Sequence, residues 1–254
     1  MQKKASSYIS SNSTSIAIIG VDGSGKSTCF KKLFEKLTNK NIAAIGDKVL
    51  VKKNNEIFIS KLWMSKLKVF LGARVKRIKN RKLYRILKFL ELLLRVKLSH
   101  KIDRIYTPEF IITDGTPAIN IMGWGHYYCP EIYSNELLVE VIGYMTGEKI
   151  PRHRKAFFKK HSHELLLINR LRIKFRIPDI VFFLKVSPEI AMERITSRNE
   201  ELQPHETVEF LNNLQESYIK VCQLLEETKI YYIDTNNKTI ETVIDDIVTI
   251  LAEL

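Results

Sequence analysis

Between residues 20 and 28 the chain reads Gly-Val-Asp-Gly-Ser-Gly-Lys-Ser-Thr, which satisfies G-x-x-x-x-G-K-[ST], and no other feature restricts the fold so tightly. Such a segment works only where a strand delivers it and a helix carries the chain away. Both are written beside it. Ser15-Ile-Ala-Ile-Ile19 is a β-branched run that reads as a buried strand. After Lys26, apolar Phe30, Leu33, Phe34 and Leu37 share one helix face. The glycines let successive backbone N–H groups turn toward a phosphate at the positive end of that helix. Lys26 is then placed to reach the β- and γ-phosphates, and the Ser27 hydroxyl is placed to ligate Mg²⁺. Asp22, Gly23, Ser24, Gly25 and Thr28 complete the nucleotide-binding segment. ATP and Mg²⁺ are the expected cofactors.

The rest of the chain alternates strands with helices. A second strand is expected at residues 42–45 or 49–51, and residues 57–99 read as helical throughout, with no proline and a lone Gly72. Phe110-Ile-Ile-Thr113 is a third strand, closed by Asp114-Gly115, and Ile180-Val-Phe-Phe-Leu184 a fourth. Ser187-Pro188-Glu189 opens a helix with a capping hydroxyl, a proline suited to the first turn and an acid that complements the dipole. Phe210, Leu211, Leu214, Tyr218, Val221 and Leu225 mark another amphipathic helix. Ile230-Tyr-Tyr-Ile233 is a fifth strand, before a closing helix over residues 239–254. This order predicts an α/β fold: a doubly wound, mostly parallel five-stranded sheet, with ligands beyond the carboxyl ends of the strands. Asp114 is thus the best second carboxylate, holding Mg²⁺ or acting as base toward the acceptor; the competing reading is a plain Asp-Gly turn.

Apolar residues make up 45% of the 254, enough for a sizeable core. Residues 1–13 are polar and read as a flexible tail, residues 14–254 as a single domain. No signal-peptide core or run of about 18 apolar residues is visible. Cys29, Cys129 and Cys222 lie far apart without metal-type spacing, and a cytoplasmic setting is expected. The net charge of +13 is concentrated: residues 61–101 hold fourteen Lys or Arg against Glu91 alone, and residues 149–176 hold ten against Glu164. The first stretch belongs to a long basic helical insertion, about residues 57–107. Three readings stay open for it: a solvated face, peripheral docking on an anionic membrane, or contact with a phosphate-rich partner. Nucleic acid is the weakest of these, since no nucleic-acid-binding fold accompanies the charge. A homodimer is also open.

The glycine loop of residues 20–28 looks like the P-loop of the thymidylate kinase family. Residues 178–198 resemble that family's fourth strand and the start of its lid, and residues 231–241 are similar to its last strand and final helix. The resemblance implies a P-loop kinase, with a lid over about residues 187–206 that places Arg194 and Arg198 on the transferring phosphoryl group. It also implies that Asp234 to Asn236 border the adenine. The two arginines are four apart and so share a helix face; the alternative is two solvated arginines pairing with Glu193, Glu200 or Glu201. Departures fall on the acceptor side: Gly115 stands where the family has an arginine, Ile19 where it has an acid, and no Arg-x-Pro follows the second strand. Acceptor contacts are expected within residues 116–128, where Trp124, His126, Tyr127 and Tyr128 cluster, against a reading of plain helix packing. His161 and His163 read as surface residues. The implied function is an ATP-dependent phosphotransferase acting on a nucleoside monophosphate or related small acceptor. The alternatives are a kinase of a non-nucleotide acceptor, or a non-catalytic nucleotide-binding module that docks through its basic insertion.

Overall fold

A computed structural model of the chain describes residues 13–38, 40–75, 78, 80–128, 131, 134–198, 202 and 206–254. The β-branched run ahead of the glycine loop is strand β1 (Thr14–Ile19), and helix α1 (Lys26–Lys36) leaves the loop. Then come β2 (Ile42–Ile45), β3 (Val49–Lys53), β4 (Glu56–Ile59), α2 (Trp63–Val75), α3 (Arg81–Tyr106) and β5 (Phe110–Asp114). Helices α4 (Pro117–Tyr128), α5 (Asn135–Thr146), α6 (Arg152–His161) and α7 (His163–Arg170) precede β6 (Ile180–Lys185). The chain closes with α8 (Pro188–Thr196), α9 (Val208–Gln223), β7 (Lys229–Asp234) and α10 (Ile240–Ala252).

The strands form one sheet in the order β4-β3-β2-β5-β1-β6-β7. Its five strands β2, β5, β1, β6 and β7 run parallel, as the alternation of elements predicts. The sheet has seven strands, however, not five, because β3 and β4 add an antiparallel edge. Both segments expected to compete for the second strand are strands, and residues 57–59 extend the sheet where a helix was expected. The cause is local. Asn54 and Asn55 adopt φ of 51° and 64°, the left-handed pair that closes a tight hairpin. The expected long helix is also two helices. Asn80 Oδ1 accepts from Leu83 N at 3.1 Å, so an asparagine cap restarts the chain as α3. At α8 the expected start holds, with Ser187 Oγ accepting from Ile190 N and Pro188 in the first turn.

Alternation along β1 feeds two cores. Ile16 and Ile18 join α1 and α10 on one face of the sheet, while Ala17 and Ile19 join α4, α5 and α9 on the other. A smaller cluster packs α3, through Leu98 and Ile102, on Ala43 and Ile45 of β2. Among the described residues no helix is long and apolar enough to cross a membrane.

The added edge is tied to α1 by one buried lysine. Lys52 on β3 donates to Phe34 O at 2.7 Å, Leu37 O at 3.2 Å and Glu35 O at 3.3 Å, and lies 4.9 Å from the Phe34 ring centroid. These are the orphan carbonyls at the end of α1, where a cation is favoured. Burial lowers the Lys52 pKa, with Glu35 opposing. Lys52→Met keeps the apolar stem and deletes the cap, so the urea unfolding free energy is expected to fall by about 1.5 to 3 kcal/mol.

Candidate active site

The site is built where β1 and β5 end side by side. Their parallel pairing sets Ile18 against Asp114, and Gly115 N donates to Ile18 O at 2.8 Å. Asp114 is thereby fixed at the start of the glycine loop, and Ser27 Oγ donates to its Oδ2 at 2.8 Å. Two hard oxygens from neighbouring elements fit Mg²⁺, which takes one or two protein oxygens and completes its shell from phosphates and water.

In the loop, Gly23 and Gly25 adopt φ of 81° and 86°, a region costly for any side chain. Their surroundings differ. A Cβ on Gly25 would meet nothing within 4 Å, so the N-terminus of α1 is open to close approach by a ligand. A Cβ on Gly23 would fall 2.3 Å from the Ala191 carbonyl oxygen of α8. The space any side chain here would need is occupied by backbone. Ser24 Oγ, inside the loop, is buried without a hydrogen-bond partner. Lys26 Nζ is held over the loop by Asp22 Oδ1 at 2.6 Å and Val21 O at 3.3 Å, so Asp22 acts first as the partner of the lysine. One turn into α1, burial and, secondarily, Asp114 push the Cys29 thiol up to about 12.

Of the two arginines expected to act together, the fold brings one to the loop. Arg194 Nη2 donates to Thr235 O at 2.7 Å and Asn236 O at 3.2 Å, and Nη1 to Gly23 O at 3.4 Å. It joins α8, the glycine loop and the segment after β7. That segment is itself ordered: Asn236 Oδ1 accepts from Ser187 N at 2.7 Å, and Asp234 Oδ1 from Asn236 N at 2.8 Å. Arg198 is exposed past the end of α8. The rest of the expected lid, with Glu200 and Glu201, lies largely outside the described residues.

Past the ends of β2 and β5 stand buried charges not singled out in the sequence. Arg95 of α3 is buried and donates from Nη2 to Asp114 O at 2.7 Å and Gly115 O at 3.0 Å, while its Nε has no partner. A guanidinium from the insertion thus stands beside Gly115, where the resemblance has an arginine in the strand's own sequence. Lys68 of α2 is buried and donates to Gly46 O and, at 3.2 Å, Asp47 O, just past β2. Burial, with Arg95 and Lys88 adding, pushes Lys68 down to about 8 against the pull of Glu91 and Asp47. Burial also works to raise the Glu91 pKa, but Lys88 at 2.7 Å, Arg95 and Lys68 outweigh it and hold the carboxyl below its usual range. The available signal was Glu91, the one acid in a long cationic stretch, four residues before Arg95.

The expected aromatic acceptor contacts give way to helix packing. Trp124 Nε1 donates to Tyr218 OH at 3.1 Å, and its ring meets Phe210 edge-on. A ring nitrogen of His126 lies 3.1 Å from Ser217 Oγ. Both therefore brace α4 against α9. The side chains of Tyr127 and Tyr128 lie outside the described set.

Residues 157–247 match the family model for thymidylate kinase. A thymidylate kinase of Leptospira interrogans (serogroup Icterohaemorrhagiae, serovar copenhageni) is 24% identical over 80% of this chain and 78% of its own. Among solved structures, a thymidylate kinase from Candida albicans superposes with a TM-score of 0.53 at 18% identity, covering 96% of this chain and 93% of that one. A deoxyadenosine kinase from M. mycoides with bound dATP gives 0.51 at 18% identity, covering 94% and 100%. These two carry the fold.

Gly23→Ala should be poorly tolerated, since it combines a left-handed φ with a 2.3 Å approach to α8. A loss of roughly 1 to 3 kcal/mol is expected from backbone strain alone, read in urea titrations. The shift in melting temperature on adding Mg-ATP should shrink as well.

Proposed function

We propose that this thymidylate kinase-like P-loop protein moves the terminal phosphoryl group of ATP onto a nucleoside monophosphate or a related small acceptor. The observation that carries the reading is the pairing of Ser27 with Asp114 at the open N-terminus of α1, beside a lysine held in reserve by Asp22. Loop amides from Gly23 to Ser27 receive the phosphates, and Lys26 exchanges Asp22 for them. Ser27 and Asp114 would hold Mg²⁺, which when bound neutralises charge on the β- and γ-phosphate oxygens. Arg194 fixes the distance between the glycine loop and Asp234 to Asn236, the segment proposed to border the base. Arg198 is proposed to close over the γ-phosphate with the lid.

An anionic acceptor is supported by the buried cations. A phosphate oxygen attacks without needing a base, which leaves the Asp114 carboxylate to the metal. Arg95, with its spare Nε donor, and Lys68 are proposed to receive the acceptor's own phosphate, in place of the family arginines that this sequence lacks. A cytoplasmic setting, where ATP is supplied, is part of this proposal.

A radiolabelled-ATP screen over nucleoside monophosphates, sugars and lipid head groups tests the acceptor class. Tight nucleotide binding with no acceptor labelled would favour the non-catalytic alternative. Lys26→Ala is expected to lower kcat by at least about 100-fold with an unchanged melting profile; full transfer by that variant refutes the assignment. Lys68→Met should raise the acceptor KM about 10-fold or more while leaving the KM for ATP in place, as for loss of one charge-assisted hydrogen bond. Its melting temperature should fall, as for Lys52→Met, because the Gly46 and Asp47 carbonyls lose their donor, so both KM values are read well below the transition.

A further inference from the structure

α2 is inside out. Helices on a protein surface normally turn an apolar stripe inward, yet α2 buries Ser65 and Lys68 beside Met64 and Val75. Its outer face carries Trp63 at 64% exposure and Phe70 at 54%, with Leu67 between them, spaced i, i+4, i+7 along one stripe. α3 packs against it and exposes Leu83, Ile86 and Leu90 on a stripe of its own. Seven of the seventeen exposed large apolar side chains among the described residues fall on α2 and α3 between 63 and 90, too concentrated for the scatter of an ordinary surface.

The charge around this face selects what covers it. Residues 61–101 carry fourteen Lys or Arg, of which Lys68 and Arg95 are buried inward, and one acid, Glu91, which is buried against Lys88. Lys66 and Arg74 are exposed on α2, and the Arg74 guanidinium lies 5.2 Å from the Phe70 ring centroid. Two copies meeting through this face would oppose like charges. A nucleic acid would match the charge but offer nothing to rows of Leu, Ile and Phe. An anionic bilayer matches both, because acyl chains accept the apolar side chains while phosphates accept the cations above them.

We propose that the outer face of α2 and α3 docks on an anionic lipid surface. The helices lie flat in the headgroup layer, with Trp63 and Phe70 inserted and Lys66 and Arg74 on lipid phosphates.

The test is co-sedimentation of the full chain with phosphatidylcholine vesicles, pure or containing phosphatidylglycerol, at low and high salt. Binding to the anionic vesicles alone is expected, weakening as salt screens the charges. Trp63→Asp with Phe70→Asp should lower vesicle affinity at least 10-fold without moving the melting temperature, since both side chains are exposed, and without changing ATP turnover. Should that variant unfold, Lys66→Ser with Arg74→Ser leaves the apolar stripes intact and is still expected to lower the affinity. No binding to anionic vesicles, or equal binding to neutral ones, overturns the proposal. So does a dimer in sedimentation velocity that the double aspartate variant splits, which would assign the face to a second copy. Oligonucleotide binding tighter than vesicle binding and indifferent to Trp63 and Phe70 overturns it equally.

Discussion

The glycine loop is held from beneath by α8, and that packing sets the terms for the rest of the site. Gly23 sits so close to the Ala191 carbonyl that no side chain fits there. One turn further along α8, Arg194 reaches back to Gly23 O and across to Thr235 O and Asn236 O. A single helix therefore excludes a side chain at Gly23 and supplies a guanidinium from its own flank. On the opposite side β5 positions Asp114 through strand register, so the distance from Ser27 to its carboxylate follows from the sheet. Rigid supports of this kind suit phosphoryl transfer, where positioning and electrostatics supply most of the catalysis.

The basic helices α2 and α3 serve two environments at once. Their inner surface places Lys68 and Arg95 at the ends of β2 and β5, where each donates to backbone carbonyls and is balanced in part by Glu91. Buried charges persist only when paired and hydrogen-bonded, and here several compensations converge on one spot. Orienting Ser65 and Lys68 inward turns Trp63, Leu67 and Phe70 outward, because a helix cannot hide every face. The inner polar cluster and the outer apolar stripe are thus two consequences of one rotational setting of α2.

Much of this was legible in the residues. The glycine motif, the β-branched runs and the Ser-Pro-Glu start of α8 each carry their meaning within a few neighbours, and the corresponding elements formed where expected. Asn54-Asn55 and Asn80 were local signals too, a left-handed turn pair and a helix cap, and weighing them would have split the supposed long helix and added the two edge strands. Arg95 had no local signature. Nothing in its neighbourhood announces that its guanidinium ends on the carbonyls of Asp114 and Gly115, nineteen and twenty positions away.

By itself the sequence determined the glycine loop and the strand and helix that flank it, because each is written in a few neighbouring residues. It also determined the alternation that makes a parallel sheet. Only the tertiary structure decided where Arg95 and Lys68 end, the fate of Trp124 and His126, and which face of α2 looks outward. Those outcomes depend on partners far along the chain, and helical periodicity names the members of a face without saying which face is buried when lysines and leucines alternate around the helix.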